Sequence, residues 1–401
     1  MMKNTRKNLL DIFQAGLNAV AGETVVKKAL ATGEYKKYSH FVAIGKAAES
    51  MLSGVPANQI GSALLISKHA HISEQFYHND KVTCIESDHP IPKSSSIKAG
   101  NTLIKYLKNL PEKEPVLFLI SGGTSALVEV LEDGWDLAQL QKITDYLLAN
   151  AYSIDEINAV RRRLSKIKGG GLWAYTGEHP IACLMISDVP DDDPAVIGSG
   201  LLFPIKEDSL PKISSEWADE LGEPKQVEVP DNFKWKIIAS LDHAKEAAKI
   251  KAQELGYQVK VMPEFLKSEA ETSAKDCVAI LQENKNILCI WGGETTVKLP
   301  KNSGKGGRNQ HLALAAAIAM QGHENTCLLS AGTDGSDGLT TATGAMVDGL
   351  TVQCGKQENM NALEYLNNAD SNSFFKVTDS LITTGATGTN VMDLVIGIHN
   401  Q

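Results

Sequence analysis

Short unbroken apolar runs recur along this chain, each followed by a loop of Gly, Ser, Thr or Asp and often by a helical pattern. Residues 41–44 precede Gly45-Lys46, residues 116–120 precede Ser121-Gly-Gly-Thr-Ser125, and residues 182–186 precede Ser187-Asp188. Further on, residues 287–291 precede Gly292-Gly-Glu294, residues 326–329 precede Gly332-Thr-Asp-Gly-Ser-Asp-Gly338, and Leu381-Ile382 precede residues 383–390. An apolar run without polar alternation predicts a strand buried on both faces. Alternation of such runs with helical periodicity predicts an α/β fold with mainly parallel sheets. Ligands in such sheets bind beyond the carboxyl ends of the strands, so one rule places all six loops on functional edges.

At 401 residues the chain exceeds what one core usually holds, which predicts two α/β domains. Residues 203–235 are rich in Pro, Glu, Lys and Ser without periodicity and read as a connecting excursion. The boundary is therefore expected near Pro230, giving domains at 1–230 and 231–401. The second is expected to open with a strand at 234–240 and a helix at 241–255. It should close with a hairpin-like pair at 376–384 and 391–398. Residues 1–20 carry an amphipathic helical pattern interrupted by Asp11, Gln14 and Asn18, which is no signal-peptide core.

Composition narrows the class further. The chain is 43% hydrophobic and 22% charged, as an ordinary globular protein is. A net charge of −9 argues against a general nucleic-acid binder, so no nucleic-acid partner is expected. Cys84, Cys183, Cys277, Cys289, Cys327 and Cys354 form no CxxC pair, and four lie in apolar runs, which suits reduced thiols in a cytosol. No apolar stretch reaches the roughly 18 residues of a membrane span. A soluble, cytoplasmic protein without a membrane partner is expected.

Two glycine-rich loops of opposite charge carry the sharpest chemical signal, Ser303-Gly-Lys-Gly-Gly-Arg-Asn-Gln310 and Gly332-Thr-Asp-Gly-Ser-Asp-Gly338. Glycines such as Gly306 and Gly307 let the backbone approach a ligand, and N–H groups opening the next helix, near Asn309, face anionic oxygens. Lys305 and Arg308 add positive charge, while Asp334 and Asp337 are oxygen ligands of the kind Mg²⁺ takes. Two ordinary surface turns would read the same way.

Other loops fit that chemistry. Lys46 opens a helical pattern after a strand, a place for phosphate or carboxylate, although a solvated lysine is the plain alternative. Ser121, Gly122, Gly123 and Ser125 precede another helical start and could equally be an N-cap. From Arg161 to Lys168 the chain is strongly basic. If residues 155–168 are helical, Arg161, Leu164 and Lys168 share a face toward an anion, unless that face is merely solvated. Asp188, at the end of a strand, is the first choice to take a proton from a hydroxyl, with Asp192 among the nearby carboxylates able to hold Mg²⁺. Glu294 is a second acid placed similarly, and His311 reads as structural. There is no GxxxxGK[ST], GxGxxG, GxSxG or HExxH motif, which lowers familiar nucleotide-fold, hydrolase and zinc readings.

Together these blocks resemble the glycerate 2-kinase family, in which a DUF4147-type, Rossmann-like domain precedes a MOFRL domain. The matching pieces include Ala43-Ile-Gly-Lys-Ala-Ala48, Asp88-His-Pro-Ile-Pro92, Ile120-Ser-Gly-Gly-Thr-Ser-Ala-Leu127 and Ser187-Asp-Val-Pro190. They continue with Gly292-Gly-Glu-Thr-Thr296, Gly306-Gly-Arg-Asn-Gln310, the acidic loop, and Thr387-Gly-Thr-Asn-Val391. The resemblance implies ATP-dependent phosphorylation of D-glycerate at its 2-hydroxyl, with Mg²⁺, in an active-site cleft between the two domains. It implies Lys46 and Arg308 as catalytic cations, Asp188 as the group orienting or deprotonating the hydroxyl, and Thr387 and Asn390 among the ligand-binding residues. A homodimer is left open. Hydroxypyruvate reduction, and nucleotide or anion binding without turnover, are the other readings. The chain departs from the family pattern at Thr124, where glycine is usual, at Arg163, His311 and Thr341, at Met392, where asparagine is usual, and at Leu201, Leu339 and Ala386, where proline is usual.

Overall fold

The computed structural model describes residues 2–205, 210–218, 220–223, 225–323 and 325–400. It separates into two compact units, one spanning Gly22–Ile238 and the other joining the residues up to Ala21 to those from Ala239 onward. Both are α/β.

In the first unit the strands are β1 (His40–Ile44), β2 (Ser62–Lys68), β3 (Val82–Ser87), β4 (Val116–Ile120), β5 (Ile181–Ile186) and β6 (Lys234–Ala239), in the order β3-β2-β1-β4-β5-β6. β1 pairs parallel with β2 and β4, β2 with β3, and β4 with β5. β1 and β4 are buried along almost their whole length, as their apolar runs require. The chain winds outward from β1 through β2 to β3 and then returns to place β4 on the other side of β1. That reversal leaves a crevice beyond the carboxyl ends of β1 and β4, where doubly wound sheets bind ligands.

The second unit contains β7 (Gln258–Leu266), β8 (Ile287–Gly293), β9 (Thr326–Gly332), β10 (Gly344–Asp348), β11 (Leu381–Ile382) and β12 (Asp393–His399), in the order β11-β10-β9-β12-β8-β7. β7 and β8 are parallel, and β12 inserts antiparallel between β8 and β9. β10 runs antiparallel to both β9 and β11. Most strands, β7, β8, β9 and β11, therefore share one direction although most pairings are antiparallel. The expected terminal hairpin does not form, because β11 pairs with β10, and both β10 and β9 lie between β11 and β12. A late strand with an apolar centre such as Leu394–Ile398 fits any buried position, and its order in the chain does not choose its neighbour.

The unit boundaries also differ from 1–230 and 231–401. The helix Met2–Val20 buries Leu9, Ile12, Phe13 and Leu17 and lies against the helix Leu241–Glu254, with the Gly16 α-carbon so close that an added Cβ would stand 3.2 Å from the Ala244 carbonyl oxygen. Arg6 pairs with Asp348 at 3.0 Å in the same unit. The strand expected to open the second domain is β6, beside β5. Within 203–235, Leu210, Ile213, Trp217 and Leu221 fold onto the helices Leu137–Ala149 and Ile154–Leu164. Residues 206–209, 219 and 224 of that stretch lie outside the described residues. All six cysteines are free, and Cys183, Cys277, Cys289 and Cys327 are buried.

Candidate active site

The loops after β1 and β4 are locked together in the first unit. The register Ile44↔Ile120 sets Gly45 beside Ser121. Ser121 N–H donates to the Ile44 carbonyl at 3.0 Å, Lys46 N–H donates to the Gly122 carbonyl at 2.9 Å, and Ala47 N–H donates to Ser121 Oγ at 3.1 Å. Gly45 is required here: its φ is +130°, and an added Cβ would lie 2.1 Å from Ser121 Oγ. Gly123, at φ +86°, passes under the Lys46 stem, whose Cγ lies 3.2 Å from where a Cβ would stand. Thr124, where a glycine is usual, ties the loop from inside, its hydroxyl donating to Ser121 O at 2.7 Å and within 3.1 Å of Ile44 O. The helices that follow are short, Ala48–Ser53 and Thr124–Leu127. Lys46 is thus presented by its own backbone at the crevice.

Asp188 stands two residues beyond β5, partly buried, on the strand next to the Ser121 loop. Asp192 lies in the turn Pro190–Asp192 at φ +53°. Arg161 donates to the Ser125 carbonyl at 3.2 Å, and Ser125 Oγ accepts from Ser199 Oγ at 2.7 Å. Lys168 requires a correction. The helix carrying Arg161 starts where Ser153 and Glu156 form a capping box and ends at Leu164, so Lys168 is not on its face. Lys168 instead lies fully inside, its Nζ on the carboxylate of Glu129. Burial lowers its pKa to about 8 despite the charge of Glu129. It is not a surface ligand for an anion.

In the second unit the antiparallel insertion of β12 brings its first residue, Asp393, opposite Gly293 of β8 and Gly332 of β9. The Glu294 loop, the acidic loop and the start of β12 therefore share one sheet edge. Arg308 opens the helix Arg308–Ala319 and is gripped there: its Nε and Nη2 donate to the two Asp393 oxygens at 2.5 and 3.0 Å, and its Nη1 lies 2.6 Å from Glu294 Oε1. Asp393 is 6% exposed at its side chain, Arg308 36% and Glu294 47%. Burial alone would favour loss of the Arg308 proton, but Asp393 foremost, with Glu294 and Asp337, outweighs it and pushes the pKa up. The guanidinium stays charged and keeps a solvent-facing side. Asp393 was not anticipated; the only signal for it was a lone acid heading an apolar run.

Asp337 is the second correction. Its Oδ1 accepts from Asn309 N–H at 3.0 Å and its Oδ2 from Gln310 N–H at 2.8 Å, with Gln310 Nε2 at 3.0 Å. The helix N-terminus expected to meet an external anion thus holds an internal carboxylate, and both oxygens of the expected metal ligand are taken. Gly307 permits this, since an added Cβ would strike the Asp337 side chain at 2.3 Å. Burial pushes the Asp337 carboxyl up to about 6, against the N–H groups that favour its ionised form. An acid raised above its unfolded value of 3.8 contributes stability that is fully present below that pH and lost as pH rises through about 6. Relative to Asp337→Asn, the wild type should therefore gain at most about 3 kcal/mol as pH falls across that window, read from urea midpoints. A pH-independent difference between the two proteins would contradict this.

Asp334 remains on the acidic loop, one oxygen accepting from Ser336 N–H at 3.0 Å. Among the described residues no group of three or more His, Cys, Asp or Glu side chains is set to hold a metal ion. Lys305 is exposed and its N–H donates to Asp370 at 2.8 Å, while Asn309 is buried and accepts from Ser330 Oγ at 2.8 Å. Thr387 donates to the Thr333 carbonyl at 2.5 Å, and Asn390 is buried beside it in the loop before β12. Met392 stands at φ +68°, a region that asparagine, usual here in the family, tolerates better. Burial favours the neutral form of His311, against the charge of Glu271 beside it.

Residues 8–215 match a domain of unknown function, DUF4147, and residues 287–393 match the MOFRL family. A D-glycerate 2-kinase from Thermotoga maritima is 34% identical over 99% of both chains. A glycerate 2-kinase from Pyrococcus horikoshii is 32% identical over 97% of this chain and 93% of its own. A crystal structure of glycerate kinase from Thermotoga maritima superposes with a TM-score of 0.87 at 34% identity, over 99% of this chain and 100% of that one. With strand-end loops, domain order and full-length similarity in agreement, this chain belongs to the glycerate 2-kinase family.

Proposed function

We propose that the protein transfers the terminal phosphoryl group of ATP to the 2-hydroxyl of D-glycerate, or of a closely related hydroxy acid, giving 2-phosphoglycerate. The observation that carries this reading is Arg308, a permanently charged guanidinium fixed by buried Asp393 on the β8–β12–β9 edge with one side left to solvent. Phosphoryl transfer asks the protein for positioning and charge neutralisation more than covalent chemistry, and a preorganised arginine supplies both. Lys46 adds a second cation beyond β1, beside Ser121, Gly122 and Gly123, whose loop would take anionic oxygens of substrate or nucleotide. Asp188 orients the acceptor hydroxyl and accepts its proton as the new O–P bond forms. Lys305, Gly306, Gly307, Thr387 and Asn390 remain nucleotide-side candidates. When bound with ATP, Mg²⁺ neutralises phosphate charge; Asp334 and Asp192 are the residues available to it, and Asp337 is not.

No helix among the described residues is long and apolar enough to cross a membrane. A cytoplasmic enzyme acting on small molecules, without nucleic acid and with a homodimer allowed, fits the reading. Purified protein supplied with Mg·ATP and a panel of three- and four-carbon hydroxy acids should release ADP, fastest with D-glycerate. Absence of ADP with every acceptor would sink the proposal, and NAD(P)H oxidation with hydroxypyruvate would move the assignment to a reductase.

A further inference from the structure

Two cations and one carboxylate meet behind the Ser121–Ser125 loop in the first unit. Glu129 and Lys168 are both fully buried and paired with each other. Glu129 Oε1 also accepts its neighbour Val130's N–H at 3.1 Å. Arg161 is the other cation coupled to Glu129. Arg161 is half-buried as a residue, and its one hydrogen bond among the described residues goes to the Ser125 carbonyl. Lys225, whose charge also reaches Lys168, has its own partner in Glu132 at 3.1 Å. The buried cluster therefore carries one positive charge more than its carboxylate balances, and the unbalanced cation is Arg161, held at the Ser125 carbonyl.

The backbone holds these groups in register. The Leu131↔Ser165 bridge, Lys166 N–H to Val130 O at 2.6 Å, and Glu132 N–H to Leu164 O at 2.9 Å zip the segment after the Ser121–Ser125 loop to the segment after the Arg161 helix. Gly169 N–H donates to Ser199 O at 3.0 Å, and Ser199 Oγ donates to Ser125 Oγ at 2.7 Å, which closes the ring. An ion pair this deep costs desolvation that its attraction need not recover, so stability alone does not account for it.

We propose that Lys168 is a positioning residue: by occupying Glu129 inside the protein it keeps that carboxylate off Arg161, leaving the Arg161 guanidinium at Ser125 for the carboxylate of the hydroxy-acid acceptor. The identity of the acceptor rests on the kinase reading above. A planar guanidinium matches a carboxylate in two-point geometry, and an unbalanced buried charge favours an anionic ligand. Without Lys168, Glu129 becomes an internal competitor for Arg161.

The test compares wild type, Lys168→Met and Glu129→Met/Lys168→Met, using KM for D-glycerate and for ATP from ADP release, and the D-glycerate Kd from calorimetry. Lys168→Met should raise the D-glycerate KM and Kd about tenfold or more with little change in the ATP KM, as loss of a charge-assisted contact does. The double variant, which removes the competitor as well, should return both D-glycerate constants to within about threefold of wild type. A single variant without effect, one that moves both KM values together, or a double variant as impaired as the single would overturn the inference. Should Lys168→Met fail to fold, Lys168→Gln, which keeps a donor to Glu129 and drops the charge, takes its place, with the same expected rise in the D-glycerate KM and Kd and the same overturning results. Wild type that binds D-glycerate but releases no ADP ends the kinase reading, and the Kd series still decides the role of Lys168. Wild type that does not bind D-glycerate overturns both.

Discussion

Arg308→Ala is expected to lower kcat by about 10³-fold or more, because a fixed arginine facing transferred phosphoryl charge is worth that much, and also to lower the unfolding midpoint, because buried Asp393 loses its partner. The geometry makes the effect specific. Both Arg308 donors on the Asp393 side are spent on a buried carboxylate and its Nη1 is paired with half-exposed Glu294, so the side chain is held in place while staying partly exposed. Lysine cannot reproduce a two-point bond to Asp393, so Arg308→Lys should recover little. Asp393→Asn should lower kcat by about 10²-fold while ATP binding is less affected, because the arginine keeps its charge and loses its aim. Steady-state kcat and KM, with calorimetric ATP binding as the control, separate these cases. Retention of wild-type kcat in Arg308→Ala would remove Arg308 from the chemistry.

Lys46→Ala should have the second largest effect, a loss of about 10²- to 10³-fold in kcat/KM, the range for deleting one charged stabilising group. The latch between β1 and β4 is made by the Lys46 N–H and by Ser121 and Thr124, so the loop should survive truncation of the side chain. Lys46→Arg should restore activity only in part, since a compact ammonium and a planar fork place charge differently. Circular dichroism and the unfolding midpoint check the fold; progress curves check the rate. A truncated protein with unchanged kcat/KM would return Lys46 to an ordinary surface lysine.

Much of this was legible in the order of residues, and the failures have a common cause. The strands β1, β4, β5, β8 and β9 announced themselves through unbroken apolar runs and the loops after them fell at strand ends as expected, whereas β2 and β10, equally buried, were not among the runs read. The placement of Arg308 at a helix start and of Lys46 just before one was readable from glycine, cation and helical pattern in sequence. What local patterns could not say was which distant element each surface would meet. Residues 2–20 showed an amphipathic face without showing that Leu241–Glu254 covers it. Asp337 looked like a metal ligand because its loop is acidic, and only the fold brings the open N–H groups of Asn309 and Gln310 to it. Lys168 looked solvated or ligand-facing for want of knowing that the helix stops at Leu164 and that Glu129 waits inside. Asp393 was missed for the complementary reason: a single acid opening an apolar strand becomes informative once β12 lies between β8 and β9.

The account stands or falls on where the phosphate goes. Incubation with Mg·ATP and D-glycerate, followed by proton-coupled ³¹P NMR of the product, answers this directly, because a phosphate on the 2-position neighbours a single C–H and one on the 3-position neighbours a CH₂. The account predicts a doublet from 2-phosphoglycerate that grows with ADP, and that grows at least about 10²-fold more slowly with Lys46→Ala and Arg308→Ala. A triplet from 3-phosphoglycerate, or ADP without any phosphorylated acid, would contradict it.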